Sequence, residues 1–133
     1  MAVLRGRTKW IVAGVLLLAG CSSAPVTYRS ELLVDNNGMT LYKFDKDIAN
    51  SGKSTCNGPC AKNWPPLLAG KDDKGGGQFS IIARDDGSLQ WAHEGKPLYR
   101  WIKDTRPGDR TGDGFNKVWH AVSAPAREVS KGY

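Results

Sequence analysis

Long-range helical periodicity is absent from this chain of 133 residues. No window repeats apolar residues at the spacing of a helix face, which excludes a helical bundle and leaves room only for short turns, with Pro59–Asn63 the best place for one. Long hydrophobic runs are missing too. Residues 10–18 form the most apolar stretch, and it falls well short of the ~20 residues that a membrane-spanning helix needs. No run of five basic residues occurs, so the formal net charge of +6 has no patch suited to a nucleic acid. Cysteine is scarce at three residues and histidine at two. The cysteines show no Cys-x-x-Cys spacing, which excludes thioredoxin-type chemistry and c-type haem attachment. Neither a nucleophile elbow nor a zinc-binding helix is present. Met39, His93 and His120 share no spacing that would join them to the cysteines as a soft-metal site.

What is present starts at the amino terminus. Arg5, Arg7 and Lys9 precede the short apolar stretch, which ends in Leu18-Ala19-Gly20-Cys21. A basic segment, a short hydrophobic segment and small residues at a cleavage point make residues 1–20 a signal peptide. The cysteine directly after it resembles the lipid-modified residue of bacterial lipoproteins, so Cys21 is the expected anchor and the new amino terminus. Ser22 rather than Asp follows it, which in a Gram-negative host directs the protein to the outer membrane, on its periplasmic face. Removal of 1–20 takes away three basic and no acidic residues. The remaining 16 Lys and Arg against 13 Asp and Glu give a net charge of +3. Residues 21–30, small and polar with one proline, read as a flexible tether. Residues 127–133 read as a tail.

Between them lies one domain, residues 31–126, and it repeats itself. GMTLYKFDKD at 38–47 recurs as GKPLYRWIKD at 95–104, an offset of 57. Lys62-Asn63-Trp64 and Ala69 recur as Lys117-Val118-Trp119 and Ala124, at an offset of 55. Two halves, about 31–70 and 78–126, follow from a duplication. Strand-like segments at 31–35 and 40–45 flank the turn Asn36-Asn37-Gly38, and segments at 78–84 and 88–93 flank Asp85-Asp86-Gly87. Further strands are expected at 97–102 and 117–122. Residues 71–77, KDDKGGG, read as a loop between the halves. The fold class is thus mostly β: a small single domain of two related hairpin-and-strand halves, a compact or barrel-like sheet with short helical turns only.

TLYKFDKD, STCNGPCAKNWPPLLA, DGSLQWAHEGKPLYRW and DTRPGDRTGDGFNKVWH resemble the bacterial secreted-repeat lipoproteins with a Tyr-x4-Asp motif, over nearly all of the mature chain. The resemblance implies an extracytoplasmic lipoprotein. It carries over no catalytic residue.

Four groups of residues carry chemistry. In each motif the alternating aromatics share a strand face, Tyr42 with Phe44 and Tyr99 with Trp101. They are expected either to form a ligand platform or to fill the core, while Asp47 and Asp104 accept from a ligand or fasten the following loop. Trp64, Trp91 and Trp119 are further candidates for ligand stacking. Cys56 and Cys60, in CNGPC, suit a disulfide in an oxidising compartment, with a redox-active pair or a metal site as the alternative. Asp109, Thr111 and Asp113 follow the first half of a calcium loop, but the twelfth position, which should be Glu, is His120. Asp45, Asp47, Glu94, Asp104, Asp109 and Asp113 could supply the carboxylate pair of a glycan hydrolase, with no spacing that selects two of them. Both histidines read as strand-end surface residues.

The expectation is therefore an envelope lipoprotein, attached to the membrane by its lipid, that binds or supports rather than catalyses and needs no cofactor. Its partner would be peptidoglycan, an exported polysaccharide or another envelope protein. A periplasmic redox or metal-handling protein using Cys56 and Cys60 is the alternative, and a glycan-active hydrolase a third.

Overall fold

A computed structural model describes residues 24–125, besides Gly14; the signal peptide, Cys21 and the tail 127–133 lie outside the described residues. The domain is mostly β. Strand β1 (Val26–Arg29) pairs with β2 (Leu32–Asp35), β3 (Tyr42–Phe44) pairs with β8 (Trp119–Ala121), and β6 (Leu89–His93) is flanked by β5 (Phe79–Ala83) on one edge and by β4 (Leu68–Ala69) and β7 (Lys96–Pro97) on the other. All pairings are antiparallel, and the sheets do not close into a barrel. Among the described residues the helical content is one short helix, α1 (Pro59–Asn63), where proline at the first turn starts it, and a 3₁₀ turn at Phe115–Lys117.

One sequence expectation needs correcting. Val26–Arg29 is a strand, not part of the tether. Ser30 and Glu31, both at positive φ, close a two-residue turn between Arg29 and Leu32, so β1 forms a hairpin with β2. This hairpin is the counterpart of β5–β6 in the second half, and neither β1 nor the two-residue β4 stands out in the sequence. The turn at 36–38 forms as expected, with a bridge between Val34 and Thr40, but β3 then leaves for β8 and for Tyr99.

The halves exchange their ends. Leu33 N–H donates to Val122 O (2.8 Å), Val122 N–H to Leu41 O (2.9 Å) and Leu41 N–H to Leu33 O (3.0 Å). The same three-membered ring recurs: Trp91 donates to Leu67, Leu67 to Leu98 and Leu98 to Trp91, each at 2.9 Å. Each ring thus takes two members from one half and its third from the other. The six residues form one hydrophobic cluster, with Leu33, Leu41, Trp91 and Leu98 fully buried. At the centre Tyr42 and Tyr99 exchange backbone hydrogen bonds (2.8 and 3.0 Å), a reciprocal pair on the axis relating the halves.

The second cluster is a ladder of rings. Phe44 stacks on Trp119 (4.2 Å), Trp119 on Trp64 (3.9 Å) and Trp64 on Trp101 (4.0 Å), while Tyr42 meets Trp64 and Tyr99 meets Trp119 edge-on. Such pairs contribute about 0.5–1.5 kcal/mol each beyond the area they bury. Gly112 lets the chain pass the ladder: a Cβ there would lie 2.7 Å from Trp64 and 3.0 Å from Trp101. Phe44, Trp64, Trp101 and Trp119 join elements of opposite halves, so residues 31–70 and 78–126 interlock rather than fold side by side.

The two motif aspartates hold this arrangement. Tyr42 Oη donates to Asp104 Oδ2 and Tyr99 Oη to Asp47 Oδ2, both at 2.5 Å and both across the halves. Asp47 Oδ1 accepts the backbone N–H and hydroxyl of Thr55 (2.7 Å each); Asp104 Oδ1 accepts the same groups of Thr111 (2.9 and 2.6 Å). Burial, with the neighbouring carboxylate second, pushes both phenols well above their ordinary range, so both remain donors. Asp47→Ala and Asp104→Ala should each destabilise the domain by about 1–3 kcal/mol, because each removes the charged acceptor of a buried tyrosine hydroxyl and of a threonine N–H. Asp72→Ala, in the exposed loop 71–77, should change stability by less than about 0.5 kcal/mol. Denaturant unfolding of the three variants beside the parent measures both.

Candidate functional site

The residues singled out in the sequence fall into two groups. Tyr42, Tyr99, Asp47, Asp104, Phe44, Trp101, Trp64, Trp91 and Trp119 are all buried at 8% exposure or less. The rings that could have stacked on a ligand therefore pack on one another, or, for Trp91, in the ring cluster. The expectation of ligand-facing Trp64, Trp91 and Trp119 is corrected accordingly: a strand alternating aromatic residues serves equally for a core face, and here both faces are covered.

Cys56 and Cys60 form a disulfide with Cα atoms 5.2 Å apart, closing a loop short enough to stabilise by only about 2 kcal/mol in the chain-entropy model. Cys56 is fully buried and Cys60 partly so. The buried Arg84 clamps the same loop, donating to Cys56 O (2.6 Å), Ser54 Oγ (3.0 Å), Asn57 Oδ1 (3.2 Å) and Gln90 Oε1 (2.7 Å). Ser54 Oγ lies 2.6 Å from Tyr99 Oη, so the clamp reaches the Tyr99–Asp47 pair. Arg84 and Gln90 have no partner in the repeat, and nothing in the sequence marks them.

The calcium-loop residues point to different partners. Asp109 Oδ2 accepts Thr105 and Arg106 N–H (2.9 and 3.0 Å), Thr111 bonds Asp104, and Asp113 Oδ1 accepts Ala121 N–H (3.0 Å). The carboxyls of Asp109 and Asp113 and the Thr111 hydroxyl thus fasten loops. Among the described residues no group of three His, Cys, Asp or Glu side chains could hold a metal ion.

Polar groups converge elsewhere, in a groove of about 690 Å³ formed where β3, β8 and the β6–β7 turn meet. Lys43, Asp45 and His120 line it from the paired strands, Lys96 and Glu94 from the turn, and Arg110 from the later loop. Three of these are engaged within the protein. His120 Nε2 pairs with Asp45 Oδ2 at 2.8 Å, and Lys96 Nζ donates to the carbonyls of Phe44 (3.0 Å) and Asp47 (2.5 Å). Lys43, Glu94 and Arg110 are exposed, and among the described residues their side chains have no hydrogen-bond or ion-pair partner.

The geometry of the groove is fixed by the turn. Glu94 and Gly95 both adopt positive φ, the two-residue turn that suits a twisted hairpin. Gly95 also lies against Asn50, where a Cβ would approach Asn50 Oδ1 to 2.2 Å, just as Gly38, its repeat equivalent, lies against Pro107. His93 forms one wall. It is buried, not on the surface as the sequence suggested, because β5 and β1 cover it: its Nε2 lies 3.2 Å from both Tyr28 Oη and Gln78 Oε1.

The same place in the other half holds a different pocket, of about 280 Å³. At the offsets of the repeat, Arg100 stands for Lys43, Ile102 for Asp45, Met39 for Lys96 and Pro65 for His120, and those four line the smaller pocket. Its one cation is paired: Arg100 Nη1 lies 3.5 Å from Asp35 Oδ2. The scaffold is shared, whereas the chemistry is not. These positions were legible in the sequence only as mismatches between the repeats.

The chain belongs to a family described as secreted repeats of unknown function, whose pattern matches it twice, over residues 30–68 and 80–123. This agrees with the resemblance carried by the motifs. No curated protein and no solved structure matches the chain significantly.

Burial lowers the His93 pKa from its ordinary value, with Glu94 opposing and Lys43 reinforcing the shift. A base depressed in the folded state contributes stability above its unfolded pKa, near 6.5, and that contribution is lost as pH falls below it. Unfolding measured from pH 7.5 to 5 should therefore show stability declining with acid, and the decline should be shallower in His93→Gln.

Proposed function

We propose that the protein is a lipid-anchored module of the bacterial envelope that binds a partner rather than transforms one. The observation that carries this reading is the contrast between the motif residues and the groove. Asp47, Asp104, Tyr42 and Tyr99, which would be the natural catalytic or ligand-binding set, are saturated by one another and by Thr55 and Thr111. Lys43, Glu94 and Arg110 keep free charges at the wall of a concavity held open by a rigid turn. Free charge on a preformed surface favours recognition. A redox role for Cys56 and Cys60 has less support, since a disulfide whose first sulfur is buried offers an attacking thiol only the second.

The anchor in this reading is Cys21, and the secretion it requires accords with a family of secreted repeats. Because β1 starts at Val26, few residues separate the lipid from the folded domain, and at ~3.3–3.6 Å per residue the domain stays close to the membrane surface. In a Gram-negative host that surface is the periplasmic face of the outer membrane. Cys21→Ser should release the protein from the membrane fraction or block its processing. Normal maturation with unchanged membrane retention would remove the anchor. Crosslinking in whole cells, with Lys43→Ala/Arg110→Ala as the control, should capture an envelope component through the parent and less of it through the variant.

A further inference from the structure

The internal repeat supplies a comparison within the molecule. Positions identical in both halves, Gly38 and Gly95, Leu41 and Leu98, Tyr42 and Tyr99, Asp47 and Asp104, Trp64 and Trp119, all have structural partners. Where the halves differ at equivalent places in the pocket walls, the shared motif does not dictate the residue. Asp45, Lys96 and His120 stand where Ile102, Met39 and Pro65 stand in the other half, and three such differences fall in one pocket. The groove there is charged and measures about 690 Å³, the pocket of the other half about 280 Å³.

The free charges decide what could occupy it. Asp45 and His120 are hydrogen-bonded to each other, and Lys96 is held by two carbonyls. That leaves Lys43 and Arg110 as cations and Glu94 and Asp113 as anions, Asp113 spending one oxygen on Ala121 N–H. Lys43 and Glu94 both act on the His93 imidazole, in opposite directions, so a positive and a negative group lie about the same wall. A purely anionic ligand would meet Glu94 and Asp113 and a purely cationic one would meet two cations; like charges facing each other disfavour both. A neutral glycan would leave all four without partners. The complement is a short zwitterionic chain.

We propose that this groove binds a short zwitterionic peptide, with its carboxylates on Lys43 and Arg110 and its ammonium groups on Glu94 and Asp113. The proposal rests on the binding-module reading above. In an envelope, the peptide stems of peptidoglycan have this chemistry.

The probe is the soluble tripeptide L-alanyl-γ-D-glutamyl-meso-diaminopimelate, titrated calorimetrically into the full mature chain at low ionic strength. The parent should bind it, and acetylation of its amines should weaken binding at least tenfold. Lys43→Ala/Arg110→Ala should weaken it at least tenfold, and Glu94→Gln should reduce the discrimination against the acetylated peptide. All three side chains are exposed, so the fold should survive; an unchanged unfolding midpoint checks this. Met39→Ala, in the equivalent pocket, should leave affinity unchanged. Absence of binding at millimolar peptide overturns the proposal, as does binding indifferent to Lys43 and Arg110. Binding of the glycan backbone without its peptide, and not of the tripeptide, overturns the ligand class. If envelope crosslinking through the groove persists when the tripeptide fails, the ligand assignment falls and the binding module stands. Loss of both removes the module itself.

Discussion

The fold depends on a pair of crossed hydrogen bonds. Each motif tyrosine donates to the aspartate of the opposite half, and each aspartate then fastens the loop of its own half through a threonine. A hydrogen bond to a charged acceptor is stronger than one between neutral groups, and in a buried site an unpaired carboxylate costs several times what the bond contributes. Neither half can therefore complete itself. The aspartate of one half finds its phenol donor only when the other is in place, and the backbone pair between Tyr42 and Tyr99 sets the two motifs at the required distance.

The remaining architecture follows from that crossing. With the tyrosines back to back, the strands that follow them must pair outward, and the available partner is the segment behind the other half's tryptophan. This is why β3 pairs with β8 and why Pro66 bridges to Tyr99. The tryptophans are then brought face to face at 3.9 Å, with Phe44 and Trp101 closing the ladder at either end. The two rings of backbone hydrogen bonds seal the opposite side with aliphatic residues and Trp91.

Much of this was legible in the sequence, and the gaps have physical causes. The repeat, the β class, the turn at 59–63 and the loop-fastening role of the aspartates could be read because each depends on local spacing. The exchange of ends could not. A repeat pairs Tyr42 with Tyr99 as equivalents, but it says nothing about whether an equivalent contact is made within a half or between halves. β1 was hidden because VTYR alternates half-buried and exposed residues beside a proline and two serines, the composition of a tether. His93 was misplaced for a similar reason: the cover that β1 adds to that of β5 was itself unseen. The groove was missed because its charged residues are scattered over β3, β8, a turn and a loop, and single charges in a strand look like a solvated face.

Duplication explains why a groove on one half could acquire charge without loss of the fold. A single-copy site must serve stability and recognition with the same residues. Here the crossed tyrosine–aspartate set is present twice and lies at the motif positions, so the surface next to either motif is freer to change. The disulfide is an instance of the same freedom. Thr55-Cys56 and Cys60 occupy the positions of Thr111-Gly112 and Phe115: one half covers the ladder with a closed cystine loop, the other with a glycine and an aromatic ring. Both loops keep the threonine that meets the aspartate. The invariant element is the fastening; what the loop carries beyond it is open to variation, and the same holds for the walls of the groove.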